Sequence, residues 1–475
     1  MSISFKRKQI ICLFIWSIMS IMEVVYINQL NYSRKTLLVI LGVVVFNFFM
    51  QIIILKINSQ PVLSFFSAFI LLLNLFHFGQ LFGVAFNFDS ELAIIFNDYM
   101  DDKVAVIRTL SICITSINTL FIGGLCTIGM EENRELELTA DNIIQSQLFC
   151  RRFGWILFAI SLPFRLYIDL SHINVGFSEG YLAAYSSVVV SGITGCIASF
   201  WFISLPLIYI TIKNRKSRRL FLVIVSTYMV ISMMLSGSRA NQVVGFMGLF
   251  LIIYIYSEKK INFMNIIKIS IVIFLAAFVI SIIAKTRTYG GAYLINNFLQ
   301  VCKEALEDNF LVEAIMEMGG TIWTPYLVEV GQESLTPFPG ETYIKSLITI
   351  VPNIFRAPWY SEIQREAVIG YVLIDKLYIK GIGGSFIAEM YYNFYGLYWI
   401  GTFAFGIIYN SFSSKVNIAI YKGDYKKVCK YLPLLIFCVF WIRDSFCGLL
   451  RSVVWISILF WIMNRTNLGN VFRKG

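Results

Sequence analysis

Charge is what this sequence has least of. Only 14% of its 475 residues are Asp, Glu, Lys or Arg, where an ordinary soluble domain carries about 25%. Metal-binding patterns are missing too: no CxxC occurs, and His77 and His172 are the only histidines, too few for a zinc cluster. There is no P-loop, no GxGxxG after a strand and no HExxH, which argues against an ATP-driven pump, a nucleotide-binding domain and a membrane zinc protease. No DxD occurs; the nearest pair of acids is Asp89-Ser90-Glu91. No internal repeat or low-complexity tract breaks the chain.

What fills the chain is apolar. Hydrophobic residues make up 58% of it, with 42 Phe and 25 Tyr. One aqueous core cannot hide that much surface, so lipid must be the solvent for most of it. The nine cysteines sit mostly inside apolar runs and read as buried free thiols. The net charge of +11 would suggest nucleic acid in a soluble protein. Here Lys and Arg cluster in short loops between apolar runs, as membrane topology requires, and no nucleic-acid partner is expected.

A crossing helix needs roughly 20 apolar residues. On that criterion the sequence predicts an all-α integral membrane protein of about twelve spans. They lie near 9–27, 36–55, 62–85, 104–128, 153–171, 188–212, 220–236, 241–257, 263–284, 385–412, 431–447 and 449–464. The first run follows Lys6-Arg7-Lys8 without a small-residue cleavage site and reads as a retained span. Basic residues crowd the short segments on one side, around 213–219, 259–268 and 415–430, which predicts both termini in the cytoplasm. Residues 1–475 are expected to form a single polytopic domain. Within it, 285–384 is one long outer loop, acidic and proline-bearing, suited to a lid or binding element. A helical stretch is expected near 297–318, with Leu299, Leu306, Phe310 and Ala314 on its apolar face.

Ionisable groups at membrane depth are costly, about 2.5–3.5 kcal/mol each on insertion scales, so each calls for a reason. Arg239 follows Ser236-Gly237-Ser238, and Arg443 and Arg451 flank Asp444-Ser445-Phe446-Cys447-Gly448. If that segment is helical, 443, 447 and 451 form one stripe. Such guanidiniums make a strong anion site, because the fork stays charged and binds two oxygens at once. Alternatively they snorkel to headgroups or pair with Asp444 and Glu389. Arg165 is a fourth candidate; Arg287 and Arg356 belong to the long loop.

A second constellation runs Gly383-Gly384-Ser385-Phe386-Ile387-Ala388-Glu389-Met390-Tyr391-Tyr392-Asn393-Phe394. Ser385 stands where an N-cap would be, and Glu389 and Asn393 share a helix face. Glu389 is a general base, a sugar-hydroxyl acceptor or a structural partner for an arginine; Ser385 and Asn393 are candidate glycan contacts. His172 titrates near neutral pH and is a second candidate base, or a solvated interfacial residue. His77 reads as a packed core residue. Glu23, Asn47, Gln51, Asn74 and Asn118 read as hydrogen bonds between spans.

These features together resemble the Wzy-type O-antigen polymerases. The resemblance rests on Ser-Gly-Ser-Arg-Ala at 236–240, the long outer loop, the glycine-rich segment 383–394 and the Arg443…Arg451 pair. It covers 220–455 by motif, and departs at Asn393-Phe394-Tyr395-Gly396, where that family often places glycine directly after Asn-Phe. It implies a GT-C-like membrane glycosyltransferase of the bacterial inner membrane, inverting and without metal or other cofactor. The substrates would be undecaprenyl-diphosphate-linked oligosaccharides at the periplasmic face, with a chain-length regulator protein as a further partner. On this resemblance Arg239, Arg443 and Arg451 hold diphosphate, with Arg165 and Arg287 as additional candidates. Glu389 orients or deprotonates the acceptor, with His172 as the alternative. The rival readings are an O-antigen ligase, which uses the same donor, and a lipid-linked oligosaccharide flippase, which should gather its polar residues near the midplane.

Overall fold

The computed structural model describes residues 7–88, 93–96, 102–128, 138–188, 192–236, 240–256, 263–286, 290–307, 309–353, 357–379 and 382–466. Among these residues the regular structure is entirely helical. The first ten helices are α1 (Arg7–Ile27), α2 (Arg34–Ile57), α3 (Phe65–Ala85), α4 (Lys103–Leu125), α5 (Ala140–Glu179), α6 (Tyr181–Ser187), α7 (Gly192–Thr211), α8 (Arg215–Ser236), α9 (Ala240–Tyr256) and α10 (Phe263–Thr286). Seven short helices follow: α11 (Gly291–Asn296), α12 (Phe298–Glu307), α13 (Phe310–Met318), α14 (Trp323–Val330), α15 (Glu341–Ile348), α16 (Pro358–Glu366) and α17 (Ile369–Leu377). The chain ends with α18 (Phe386–Phe394), α19 (Tyr398–Lys422), α20 (Tyr425–Trp441) and α21 (Phe446–Arg465).

Eight of the described helices, α1 to α5, α7, α8 and α21, are long and apolar enough to cross a membrane, and shorter apolar stretches lie in α9 and α10. Their surfaces show why lipid is needed: Phe14 and Ile21 of α1 are about two-thirds exposed, a cost water would impose and hydrocarbon does not. The chain is a multi-pass membrane protein.

Three sequence expectations change in detail. The window 153–171 becomes the 40-residue α5, about 60 Å long, so its polar ends extend the helix well beyond a 30 Å hydrocarbon core. The span expected over 385–412 breaks at Tyr395, whose φ is +43°, into α18 and α19. The stretch 297–318 is helical, but as α12 and α13; α13 buries the expected Phe310 and Ala314, while α12 turns a different face inward. Val301, Ala305, Phe310 and Ala314 are buried while Leu299 and Leu306 are exposed.

The chain forms two compact units. One holds 1–137, 315–418 and 437–451; the other holds 138–314, 419–436 and 452–475. In the first, Glu23 of α1 accepts hydrogen bonds from Asn47 of α2 (2.8 Å) and Asn118 of α4 (2.9 Å), and Gln51 reaches Asn118. Asn74 bonds within its own helix, to Ile70 O. Helices α4 and α19 approach closely because Gly123 and Gly406 lack side chains. A Cβ at either would collide with a backbone carbonyl of the other helix, the small-residue packing typical of membrane helices. In the second unit, Phe310 of α13 packs edge-on to Phe274 and Phe278 of α10, and Ser146 of α5 donates to Gly423 O.

Candidate functional site

Helix α18 owes its place to Ser385 and the glycines before it. The Ser385 hydroxyl oxygen accepts the Ala388 N–H at 3.3 Å, an N-cap that satisfies one donor of the first turn. Ser385 also meets His77 Nε2 at 3.0 Å, and His77 Nδ1 lies 2.9 Å from Leu73 O. A carbonyl only accepts, so Nδ1 carries the proton of the neutral ring and Nε2 takes the serine proton. Both residues are fully buried. The Ser385 hydroxyl is therefore engaged on both sides within the protein. Gly384 lies against the Asp444 backbone, where any Cβ would collide.

Glu389 is fully buried on α18. Its Oε1 accepts from Thr342 Oγ1 at 2.9 Å. Its Oε2 accepts from Trp441 Nε1 at 2.7 Å and from the Phe446 N–H at 2.8 Å. Phe446 is the first residue of α21, so the carboxylate satisfies an orphan donor at the positive end of that helix. These three partners are neutral donors, not the arginine that one sequence reading offered. Asn393, one turn on, donates to Thr342 Oγ1 (2.7 Å) and accepts the Thr342 N–H (3.0 Å). It too is buried. Thr342 thus donates its single hydroxyl proton to Glu389 and accepts from Asn393.

Thr342 lies on the inward face of α15, and that face continues to Ser346 and Thr349, all three buried. At Thr349 it meets α21. Arg451 Nε donates to Thr349 O at 2.9 Å, and Cys447 Sγ stands 3.2 Å from Thr349 Oγ1. Tyr360 donates to the same carbonyl at 3.0 Å and stands beside the guanidinium. Arg451 is 8% exposed, and its Nη2 has no acceptor at hydrogen-bonding geometry among the described residues. Ser445 Oγ, at the mouth of the same helix, is likewise buried without a partner. A buried, unpaired donor on a charged group costs more than the about 1–3 kcal/mol of a neutral one. An anionic oxygen placed there would remove that cost.

The stripe expected through 443, 447 and 451 is shortened. Helix α21 starts at Phe446, so Cys447 and Arg451 share a face, while Arg443 belongs to the turn after α20, its N–H closing onto Phe440 O at 3.1 Å. Asp444 Oδ1 accepts the Ser445 N–H at 2.7 Å, which is a turn geometry and stops a helix from running through.

The second unit holds Arg165 and His172, both on α5. Arg165 grips Asp169 one turn away with two bonds, Nε to Oδ2 at 2.7 Å and Nη2 to Oδ1. Tyr228 of α8 donates to the same carboxylate, and the guanidinium lies over Phe202, 5.1 Å from the ring centre. Its charge is balanced inside the protein. His172 is half-buried, and its Nδ1 is buried without a partner. Arg239, Arg287 and Arg356, with Asp89 and Glu91, lie outside the described residues. The sequence reading missed Asp169, Thr342, Thr349, Tyr360 and Trp441. Only Asp169 carries a visible signal, its spacing of four from Arg165.

A profile of the O-antigen polysaccharide polymerase Wzy family matches residues 9–464. Comparison with curated proteins and with solved structures returned no match. With the profile running through nearly all of an all-helical, multi-pass chain, the protein belongs to the O-antigen polysaccharide polymerase Wzy family, inner-membrane proteins of surface-polysaccharide synthesis that act on lipid-linked oligosaccharide repeat units.

Proposed function

We propose that this protein is a glycosyltransferase that lengthens a surface polysaccharide at the periplasmic face of the inner membrane, with both its termini in the cytoplasm. The growing glycan leaves its undecaprenyl diphosphate and joins a sugar hydroxyl of the next lipid-linked repeat unit. The observation that carries this reading is Arg451: a buried guanidinium, fixed at Nε by Thr349 O, with Nη2 unpaired. Diphosphate oxygens are the acceptors such a group fits.

In the reaction the acceptor oxygen bonds to the anomeric carbon from the face opposite the leaving group, so configuration inverts. The bond from that carbon to the phosphate oxygen breaks, and its electron pair stays on the diphosphate. Arg451 stabilises the charge that grows there, a preorganised electrostatic role that needs no metal. Arg443, and on its motif alone Arg239, are further candidates for the diphosphate. The hydroxyl proton goes to a base, for which the sequence nominates Glu389 and His172. For Glu389 the geometry supports positioning first. Both its oxygens already accept hydrogen bonds, and it ties the start of α21, which carries Arg451, to α18. To act as base it must take the proton at Oε1, which has one donor and a lone pair to spare but is buried with the rest of the side chain. Ser385 and Asn393, buried and internally bonded, support the glycan site by shaping α18.

The test is extension of undecaprenyl-diphosphate repeat units by the purified protein in lipid. A glycan ladder is expected, lost in Arg451→Ala. A ladder that survives Arg451→Ala overturns the assignment of that residue. Transfer onto a lipid A core without lengthening would identify a ligase, and movement across the bilayer without lengthening a flippase.

A further inference from the structure

A cavity of about 610 Å³ lies apart from Glu389, Arg451 and their partners. It lies in the first unit, where the end of α1 and the start of α4 meet α14 and the outer side of α18. Its volume is that of a small-molecule or oligosaccharide site. Its walls mix aliphatic side chains, Val24, Leu30, Val104, Ile107 and Ile112, with polar ones. The segment after α1 contributes the amides of Asn28, Gln29 and Asn31, and Tyr391 and Tyr398 contribute phenol rings. Amides both donate and accept, and phenols add a hydroxyl to a flat apolar face, which together suit the alternating hydroxyls and CH faces of a sugar.

The floor is an ordered polar network. Glu329 Oε2 accepts from Tyr391 OH and from Gln332 Nε2, each at 2.6 Å. Glu329 Oε1 faces Arg108 Nη1 at only 3.4 Å, and the Arg108 side chain is 64% exposed while that of Glu329 is 5% exposed. The buried carboxylate is thus held by neutral donors and leaves the guanidinium loosely engaged on the cavity side. Lys103 adds a second cation over the Tyr32 ring. Tyr391 lies two residues from Glu389 on α18. One side of this helix therefore holds the Glu389 cluster and another lines the cavity.

We propose that this cavity binds the sugar portion of a lipid-linked repeat unit, a hydroxyl-rich oligosaccharide, with Gln332, Tyr391 and Arg108 as its polar contacts. The source of the glycan rests on the polymerase reading; the chemistry of the cavity does not. Gly396 provides the means of closing it, since it lines the cavity and a Cβ there meets nothing within 4 Å. The probe is the oligosaccharide released by mild acid from the host's own lipid-linked repeat units, which lacks both diphosphate and polyprenol. Its binding to the full chain in nanodiscs of phosphatidylethanolamine and phosphatidylglycerol is followed by saturation-transfer NMR and calorimetry. Gly396→Trp should abolish binding, while Gly42→Trp, the same change at an open position on α2, should not. Gln332→Ala and Arg108→Ala should each weaken it by about tenfold, the equivalent of one hydrogen bond to a well-placed partner. Native protein that ignores the probe, or Gly396→Trp protein that binds it as well as native, overturns the proposal. If Gly396→Trp does not fold, unchanged affinity in both Gln332→Ala and Arg108→Ala does so. Binding of the probe by native protein that forms no ladder from lipid-linked repeat units would leave the glycan site standing while the polymerase reading falls.

Discussion

Thr342 in the first turn of α15 and Thr349 at its C-cap stand seven residues apart on one inward face, one bonded to Glu389 through its hydroxyl and the other to Arg451 through its carbonyl. Two turns of helix separate them, about 10 Å of rise. One short helix therefore spaces the two residues that the sequence marks most strongly, without itself bearing a residue the sequence marked. Its backbone and hydroxyls are the ruler between them.

Thr342→Val keeps the shape of that contact and removes its hydroxyl. Glu389 Oε1 loses its donor and Asn393 Nδ2 loses an acceptor, both in a buried site. The expected loss of stability is about 2–4 kcal/mol, with Thr342→Ser losing much less. Thermal unfolding in a fixed detergent or lipid checks it; equal Tm values for Thr342→Val and native protein would contradict the network.

Arg451→Met should separate function from stability. If the unpaired Nη2 serves a ligand, removing the buried charge relieves an unsatisfied donor, and Tm should hold or rise while extension falls by at least about a hundredfold. Arg451→Lys keeps the charge but cannot bind Thr349 O and offer a second N–H in a fixed fork, so it should recover little activity. A lower Tm with normal extension would make Arg451 structural.

The contrast between these residues and α15 shows how far a sequence can be read here. Arg451, Glu389 and Ser385 are conspicuous because charge or polarity is rare in apolar surroundings, and helix periodicity placed Glu389 and Asn393 on one face. The partners are not conspicuous. Thr342, Thr349 and Trp441 are ordinary residues whose role depends on which helices meet, and no local pattern encodes that meeting. Tyr395 is similar: hydropathy runs smoothly through 385–412, while the chain turns at a positive φ that a hydropathy window does not register. Leu299 and Leu306 led the periodicity to the wrong face of α12, because either face carries apolar residues when lipid as well as protein can cover them.

The Arg165–Asp169 pair is a separate case, since its geometry describes a closed ion pair and not an open anion site. Asp169→Asn should destabilise the protein by about 3–5 kcal/mol by leaving a buried guanidinium uncompensated. The double change Arg165→Met with Asp169→Leu should recover most of that loss. A double-mutant cycle by thermal unfolding measures it, and a cycle with no coupling would show that the pair does not form.

Helix α15 itself makes the last prediction. Its buried face is polar, with Thr342, Ser346 and Thr349, and its exposed face is apolar, with Ile344, Leu347 and Ile348 each 43–58% exposed. The one cation on it, Lys345, is paired with Glu341 and with Glu366 at 3.0 Å. A helix whose polar side points into the protein and whose apolar side points out is arranged for hydrocarbon, the reverse of a soluble helix. The segment 285–384, which the sequence presents as a soluble loop, should therefore dip into the bilayer at α15. A spin label at Leu347→Cys in phosphatidylethanolamine–phosphatidylglycerol liposomes should be reached readily by oxygen and poorly by a water-soluble nickel chelate. One at Tyr378→Cys, on a residue 91% exposed, should show the opposite, with the native chain as background for its own cysteines. Low access to both reagents at 347 would mean that protein covers the face, and high access to nickel that water does; either result would take α15 out of the membrane.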